Sequence, residues 1–305
     1  ALRIRPDFVE ANFNRSHAYL SKGDFTNGWK GYEWRWKSPT FDSVPLITSK
    51  PEWKPNTAGR VLLWGEQGLG DKIMFASLIP DLAPLCTQLI VQVDSRLIPI
   101  FKRSFSKTIK YYPSDQKISE ELYDSQIAMG SLPKYLRADL DSFKKSSHGY
   151  LSADKEWANR LRTSLLSDGT KFLYGLAWRG GAKDSNILKS RHLQLSKLAS
   201  LVNSKNVKLV SLQYGDTEEE IATLKRELNI DVLTVPEIDN FHDIDGLAAL
   251  ITACDRIVSI DNVTVHLAGA LGAQNKKTAV LIPFVNDWRW RLSKHTCYWY
   301  SSVRL

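Results

Sequence analysis

A chain of 305 residues, 43% hydrophobic and 24% charged, has the composition of an ordinary soluble protein and the length for two domains with their own cores, which excludes disordered and collagen-like classes. The net charge of +8 points to acidic partners, among them nucleic acid, anionic membrane and phosphorylated small molecules, and does not choose among them: basic residues are scattered, adjacent at most in pairs such as Lys144–Lys145 and Lys276–Lys277, as on a solvated surface. Three cysteines, Cys86, Cys254 and Cys297, with no CxxC, argue against a disulfide scaffold or structural zinc, and no apolar run approaches the roughly 20 residues of a bilayer span.

The first predicted elements are helical. Phe8, Ala11, Phe13, Ala18, Tyr19 and Leu20 recur at 3.6-type spacing up to a break at Lys22-Gly23-Asp24, and Phe25, Trp29, Tyr32, Glu33 and Trp36 continue a second face. With Pro6-Asp7 leading in, and Ala11, Asn14, Tyr19, Leu20 and Gly23 where they are, residues 1–40 resemble one tetratricopeptide repeat. One repeat cannot bury its own face, so it is expected to stack on preceding repeats or on the adjoining domain; a plain helical hairpin of that domain is the other reading. A chain that opens at Ala1, in the approach to a helix, reads as a piece of a longer protein, and without a charged-then-apolar leader the cytoplasm is the default compartment.

Pro45, Pro51 and Pro55 punctuate residues 41–58, which read as a surface linker. Strands are then predicted at 60–64, 89–93, 109–112 and 126–128, with a helix over 71–85. After a helix over 154–166, strands follow at 172–178, 207–212, 232–235, 256–260 and 278–282, with helices over 196–202, 217–228, 244–253 and 263–271 between them. This alternation predicts two doubly wound parallel α/β units, 41–168 and 169–305, behind the hairpin. A ligand is expected in the cleft between them, where strand C-termini meet helix N-termini.

Four segments carry candidate chemistry. In Trp64-Gly65-Glu66-Gln67-Gly68-Leu69-Gly70-Asp71, Gly65, Gly68 and Gly70 let the backbone approach a ligand at a helix start; the spacing fits neither a P-loop nor GxGxxG. Asp71 either caps that helix or serves as the carboxylate that takes a proton from an attacking hydroxyl, with Glu66 as its rival. The strand at 256–260 delivers Asp261 to its end, where the N–H groups of Asn262, Val263, Thr264 and Val265 suit a diphosphate, and His266 either reaches that anion or packs. The strand at 172–178 runs into Arg179-Gly180-Gly181 and on to Lys189-Ser190-Arg191, a basic loop able to hold a leaving phosphate. The aromatic segments Asp287-Trp288-Arg289-Trp290 and Tyr298-Trp299-Tyr300 read as packing before sugar stacking.

In this order, and with Ser131-Leu132-Pro133 and Ser211-Leu212-Gln213, the segments resemble the bacterial tetratricopeptide-repeat proteins that carry a heptosyltransferase-like glycosyltransferase domain, over nearly the whole chain. The resemblance implies a GT-B fold and inverting, metal-independent transfer from a nucleotide sugar, which is a substrate, with no cofactor. It assigns Asp71 as base, Asp261 to His266 to the donor diphosphate, Arg191 to the loop after Trp178, and Gln213 to the nucleoside. It implies a protein or glycan acceptor, such as a surface or flagellar polypeptide, with lipid-linked acceptors open, a protein partner through the repeat, and no nucleic acid. Asn262 stands where the family usually has Thr, and Ile187-Leu188-Lys189 where polar and basic residues are common, so an inactive scaffold that binds nucleotide, glycan or protein is the alternative.

Overall fold

A computed structural model gives the fold and describes residues 1–144, 148–181, 192–272, 277–284, 286–290 and 295–305. The chain begins with a helical hairpin, α1 (Val9–Lys22) and α2 (Phe25–Tyr32), followed by a 3₁₀ turn at Glu33–Lys37. Gly23, at φ 82°, ends α1 in the left-handed region, and the Asp24 carboxylate starts α2 by accepting from the Asn27 N–H. The hairpin stacks on the α/β body of the chain. Trp29 is 2% exposed, donates its indole N–H to the Arg137 carbonyl at 2.8 Å, and lies edge-on to Trp288 and Trp299.

Two parallel sheets carry the rest. The first, in the order β3-β2-β1-β4, is built from β1 (Arg60–Trp64), β2 (Gln88–Val93), β3 (Lys110–Pro113) and β4 (Ser125–Ala128). The second, in the order β10-β9-β8-β5-β6-β7, contains β5 (Phe172–Ala177), β6 (Val207–Ser211), β7 (Val232–Leu233), β8 (Arg256–Ile260), β9 (Lys277–Leu281) and β10 (Val303–Arg304). Residues 41–58 run without helix over the first sheet and are pinned to it: Trp53 is fully buried and its N–H donates to the Gln126 carbonyl.

Strand order reverses direction once in each sheet, between β1 and β4 and between β5 and β8. Such reversals splay the flanking connections and leave a crevice at the strand C-termini. The segments that leave β1 and β8 are therefore the ones aimed at open space. They lead into α3 (Leu69–Phe75) and, later, α11 (Val263–Leu271). Between them come α4 (Ile79–Leu82), α5 (Ile98–Ser104), α6 (Pro133–Leu136), α7 (Lys155–Leu165), α8 (Leu195–Val202), α9 (Glu218–Leu228) and α10 (Ile244–Ala253).

The helix expected over 71–85 starts earlier and breaks. Gly68 is its N-cap, so Asp71 lies inside the first turn and is not the cap, and 3₁₀ turns at Ala76–Leu78 and Ala83–Leu85 interrupt it around Pro80 and Pro84. The halves share one hydrophobic core, in which α7 packs on α10, and Arg103 bridges to Asp245 at 2.5 Å.

Candidate active site

A cavity of about 660 Å³ opens between the C-terminal ends of the two sheets. The first half supplies Gln67, Gly68, Leu69, Gly70 and Asp71 from the turn after β1, with Arg96 after β2 and Asp42 from the linker. The second supplies Asp261, Asn262, Val263 and His266 from the turn after β8, with Gly181, Tyr214, Phe241 and Arg289 around them. Asp71 and Asp261 thus line one space, although 190 positions separate them in the chain.

Asp71 is engaged. Its Oδ1 accepts from Arg289 Nε at 2.8 Å and from a terminal nitrogen of the same guanidinium. Arg289 also donates to Asp287 Oδ1 at 2.5 Å. Burial works to lower the Arg289 pKa, but Asp287 and Asp71 outweigh it and hold the guanidinium charge above its ordinary range; Arg289 in turn overrides burial and keeps Asp287 below the usual carboxylate value.

His266 is 5% exposed and reaches the cavity from the first turns of α11. Its Nδ1 lies 2.9 Å from the Tyr300 hydroxyl, and its ring leans on Trp290 with centroids 5.4 Å apart. Burial lowers its pKa against the opposite pull of Asp261 and Asp71. Asp261, itself 5% exposed, directly follows β8 at the cavity wall. Asn262 caps α11: its Oδ1 accepts from Val265 N and Ser259 Oγ, while its Nδ2 donates to the Arg179 carbonyl at 3.1 Å. Val263 lines the cavity, and Thr264 is buried behind it.

Other expected residues lie elsewhere. Glu66 is turned inward, ion-paired to the fully buried Arg35 at 3.2 Å and accepting from Gly130 N at 2.9 Å, and with Gly65 it borders a separate pocket beside the linker. Burial raises its pKa against the pull of Arg35. Gln213 is also turned inward. Its Oε1 accepts from Trp178 N and Arg179 N, and its Nε2 donates to the carbonyls of Arg179 and Tyr214, so the amide that was expected to face a nucleoside is spent on backbone. Arg179 points away from the cavity toward α9, bonded to the Asp216 carbonyl at 2.6 Å and paired with Glu220. Lys189 and Arg191 lie outside the described residues.

Sequence reasoning missed the two arginines that line the cavity among the described residues. Arg96 chelates Asp94, donates to the Phe241 carbonyl at 2.9 Å and lies over the Phe241 ring, joining the two halves at the rim. Arg289 sat inside an aromatic run, and the only signal was the acid-x-base order Asp287-Trp288-Arg289 just past a strand end. Gln67 was missed as well. It adopts φ 64°, rare for a residue with a side chain, accepts from the Tyr32 hydroxyl at 3.1 Å, and borders both pockets.

No family model matches the chain. It is 29% identical over 316 residues to Protein FlbA of Caulobacter vibrioides, an alignment that takes in 98% of this chain and 52% of FlbA. The chain therefore spans about half the length of that curated relative. Among solved structures it is similar to a glycosyl transferase of family 9 from Veillonella parvula, with TM-score 0.52 over 73% of this chain and 80% of that one at 13% identity. It is also similar to the ADP-heptose LPS heptosyltransferase II of E. coli, with TM-score 0.48 over 73% and 84% at 15% identity. The Veillonella likeness shows the fold, which is the expected GT-B arrangement of two facing parallel α/β units.

Proposed function

We propose that the chain is a glycosyltransferase that moves a sugar from a nucleotide-sugar donor to an acceptor hydroxyl with inversion and without a metal ion, in the cytoplasm. The observation that carries this reading is that Asp71 of the first half and Asp261 of the second line the same cavity of about 660 Å³, a volume within the roughly 300–1,000 Å³ of small-molecule sites. The glycosyltransferase fold supports it, as fold-level analogy.

In this reading the donor's diphosphate lies at the start of α11, where the N–H groups of its first turn, Arg289 and Arg96 offset its charge. Tyr214 and Phe241, with ring centroids 5.8 Å apart, offer aromatic faces to the nucleoside. The acceptor oxygen attacks the anomeric carbon opposite the diphosphate. A new C–O bond forms as the bond to the diphosphate oxygen breaks, and the hydroxyl proton passes to the Asp71 carboxylate. A polypeptide or glycan acceptor enters from the first half, and the N-terminal hairpin serves, as one tetratricopeptide-type unit, to hold a protein partner.

Thermal-shift screening across nucleotide sugars and nucleoside diphosphates, followed by a transfer or donor-hydrolysis assay, tests the proposal. Asp71→Asn is expected to lower turnover by about a hundredfold or more, the worth of a general base, without weakening nucleotide binding; unchanged turnover would remove Asp71 from the mechanism. A second reading, an inactive scaffold, is favoured by the engagement of Asp71 Oδ1 with Arg289 and the burial of Glu66. Tight nucleotide binding with no turnover for any donor would decide for it.

A further inference from the structure

We infer that Arg289 is a latch on Asp71 which the donor's phosphate opens, so that Oδ1 of the proton acceptor is released as the donor takes its place. The inference rests on the proposed function and deepens it.

Arg289 is held by two carboxylates of different origin. Asp287, two residues before it, anchors it locally, accepting from its backbone N–H at 3.1 Å and from its side chain at 2.5 Å. Asp71 reaches it from the other half of the molecule, 218 positions away. The Arg289 and Asp71 side chains are 13% and 17% exposed, so an edge of the pair faces the cavity.

Among the described residues, the two arginines that line this cavity offer an entering diphosphate no spare cation. Arg96 is chelated by Asp94 at 2.7 Å, and Arg289 already serves two carboxylates. Binding is favoured when a guanidinium exchanges a carboxylate for a phosphate, since both offer paired oxygens to its planar fork. Arg289 is suited to the exchange. Asp287 keeps it on the wall while the nitrogens that bond Asp71 turn toward the phosphate.

The exchange also changes Asp71. Two donors from Arg289 now occupy Oδ1 and turn that oxygen to the guanidinium and away from an acceptor hydroxyl. Once the latch opens, that oxygen is free beside the anomeric carbon.

Calorimetric titration of the chain with inorganic pyrophosphate tests this. Asp71→Asn is expected to tighten pyrophosphate about five- to tenfold, because the arginine no longer leaves a carboxylate, and Arg289→Gln to weaken it about tenfold or more, the scale of a partly buried ion pair. In the Arg289→Gln background Asp71→Asn is expected to change nothing. Tightening in that background would mean simple removal of negative charge and would overturn the latch, as would a single Asp71→Asn variant that binds no tighter than wild type. Melting curves check that each variant folds. If Arg289→Gln does not fold, Arg289→Lys takes its place, keeping the charge without the fork, and is expected to bind several-fold more weakly than wild type; wild-type affinity there would overturn the latch. Failure of the wild-type chain to bind pyrophosphate would overturn the latch and the proposed function together, whereas wild-type binding with no response to Asp71→Asn overturns the latch alone.

Discussion

A Cβ on Gly70 would stand 2.7 Å from Cδ2 and 3.3 Å from Nε2 of His266, so the first turns of α3 and α11 touch where only a hydrogen fits. His266 has little room to retreat, with Tyr300 bonded to one side of its ring and Trp290 against its face. Gly70→Ala is therefore expected to cost about 1–3 kcal/mol, the range for overpacking, and to weaken nucleotide binding by widening the spacing of the two helix starts. Urea unfolding and nucleotide titration check this. A variant as stable as wild type, with unchanged affinity, would mean that this contact does not set the spacing.

Acid should loosen the hairpin through His17. Burial lowers its pKa from 6.5 to about 4, more than the neighbouring Asp287 can offset, and its ring stacks on Trp288 at 6.2 Å. The unfolded chain takes up this proton near pH 6.5 and the folded chain near pH 4. Between those values the unfolded state binds more protons, so stability falls as pH falls, by up to about 2–3 kcal/mol. His17→Gln should flatten this part of the urea-midpoint profile. An unchanged slope would assign the acid response to other groups.

The strands of both sheets were legible because parallel strands buried on both faces are short apolar runs that end in glycine or polar turns. The expected 256–260 coincides with β8, whereas β10, two residues paired only to β9, carries no period to read. The start of α3 was misread because Gly68 caps it without a side chain, leaving Asp71 as the visible capping residue. Strand ends were located well, but which way a terminal side chain turns is decided by neighbouring strands. That is why Gln213, expected to face outward to a ligand, instead binds backbone. Arg289 stayed hidden because its partner Asp71 is 218 positions distant and the tryptophans beside it do pack, at 6% and 0% exposure.

Arg35 should dominate the stability of the first half. Its fully buried guanidinium bonds Glu33 at 2.7 Å, Glu66 at 3.2 Å and Ser131 Oγ at 2.7 Å, and lies over the Trp36 ring. Arg35→Met removes the only cation paired with the buried Glu66 among the described residues, an uncompensated charge worth about 3–5 kcal/mol. Adding Glu66→Gln should restore part of the loss. Equal stability of the single and double variants in chemical denaturation would show that Glu66 is not the source of the penalty.

Gln213 separates a clamp from a ligand contact. Its amide takes two N–H groups, from Trp178 and Arg179, and gives two, to the carbonyls of Arg179 and Tyr214, stitching together the strand ends of β5 and β6. The Arg179 carbonyl also accepts from Asn262 Nδ2, so the clamp continues into the cap of α11. Gln213→Glu would set an oxygen against two carbonyls at a position 4% exposed, and is expected to cost about 2–4 kcal/mol from desolvation and lost bonds. Gln213→Ala should weaken ADP, UDP and GDP by similar factors, since the loop and the helix start loosen whatever the base. A contact that reads the base would instead change the order of preference among the three, so competitive titration of the variant distinguishes them, and a reordered preference would return Gln213 to the nucleoside.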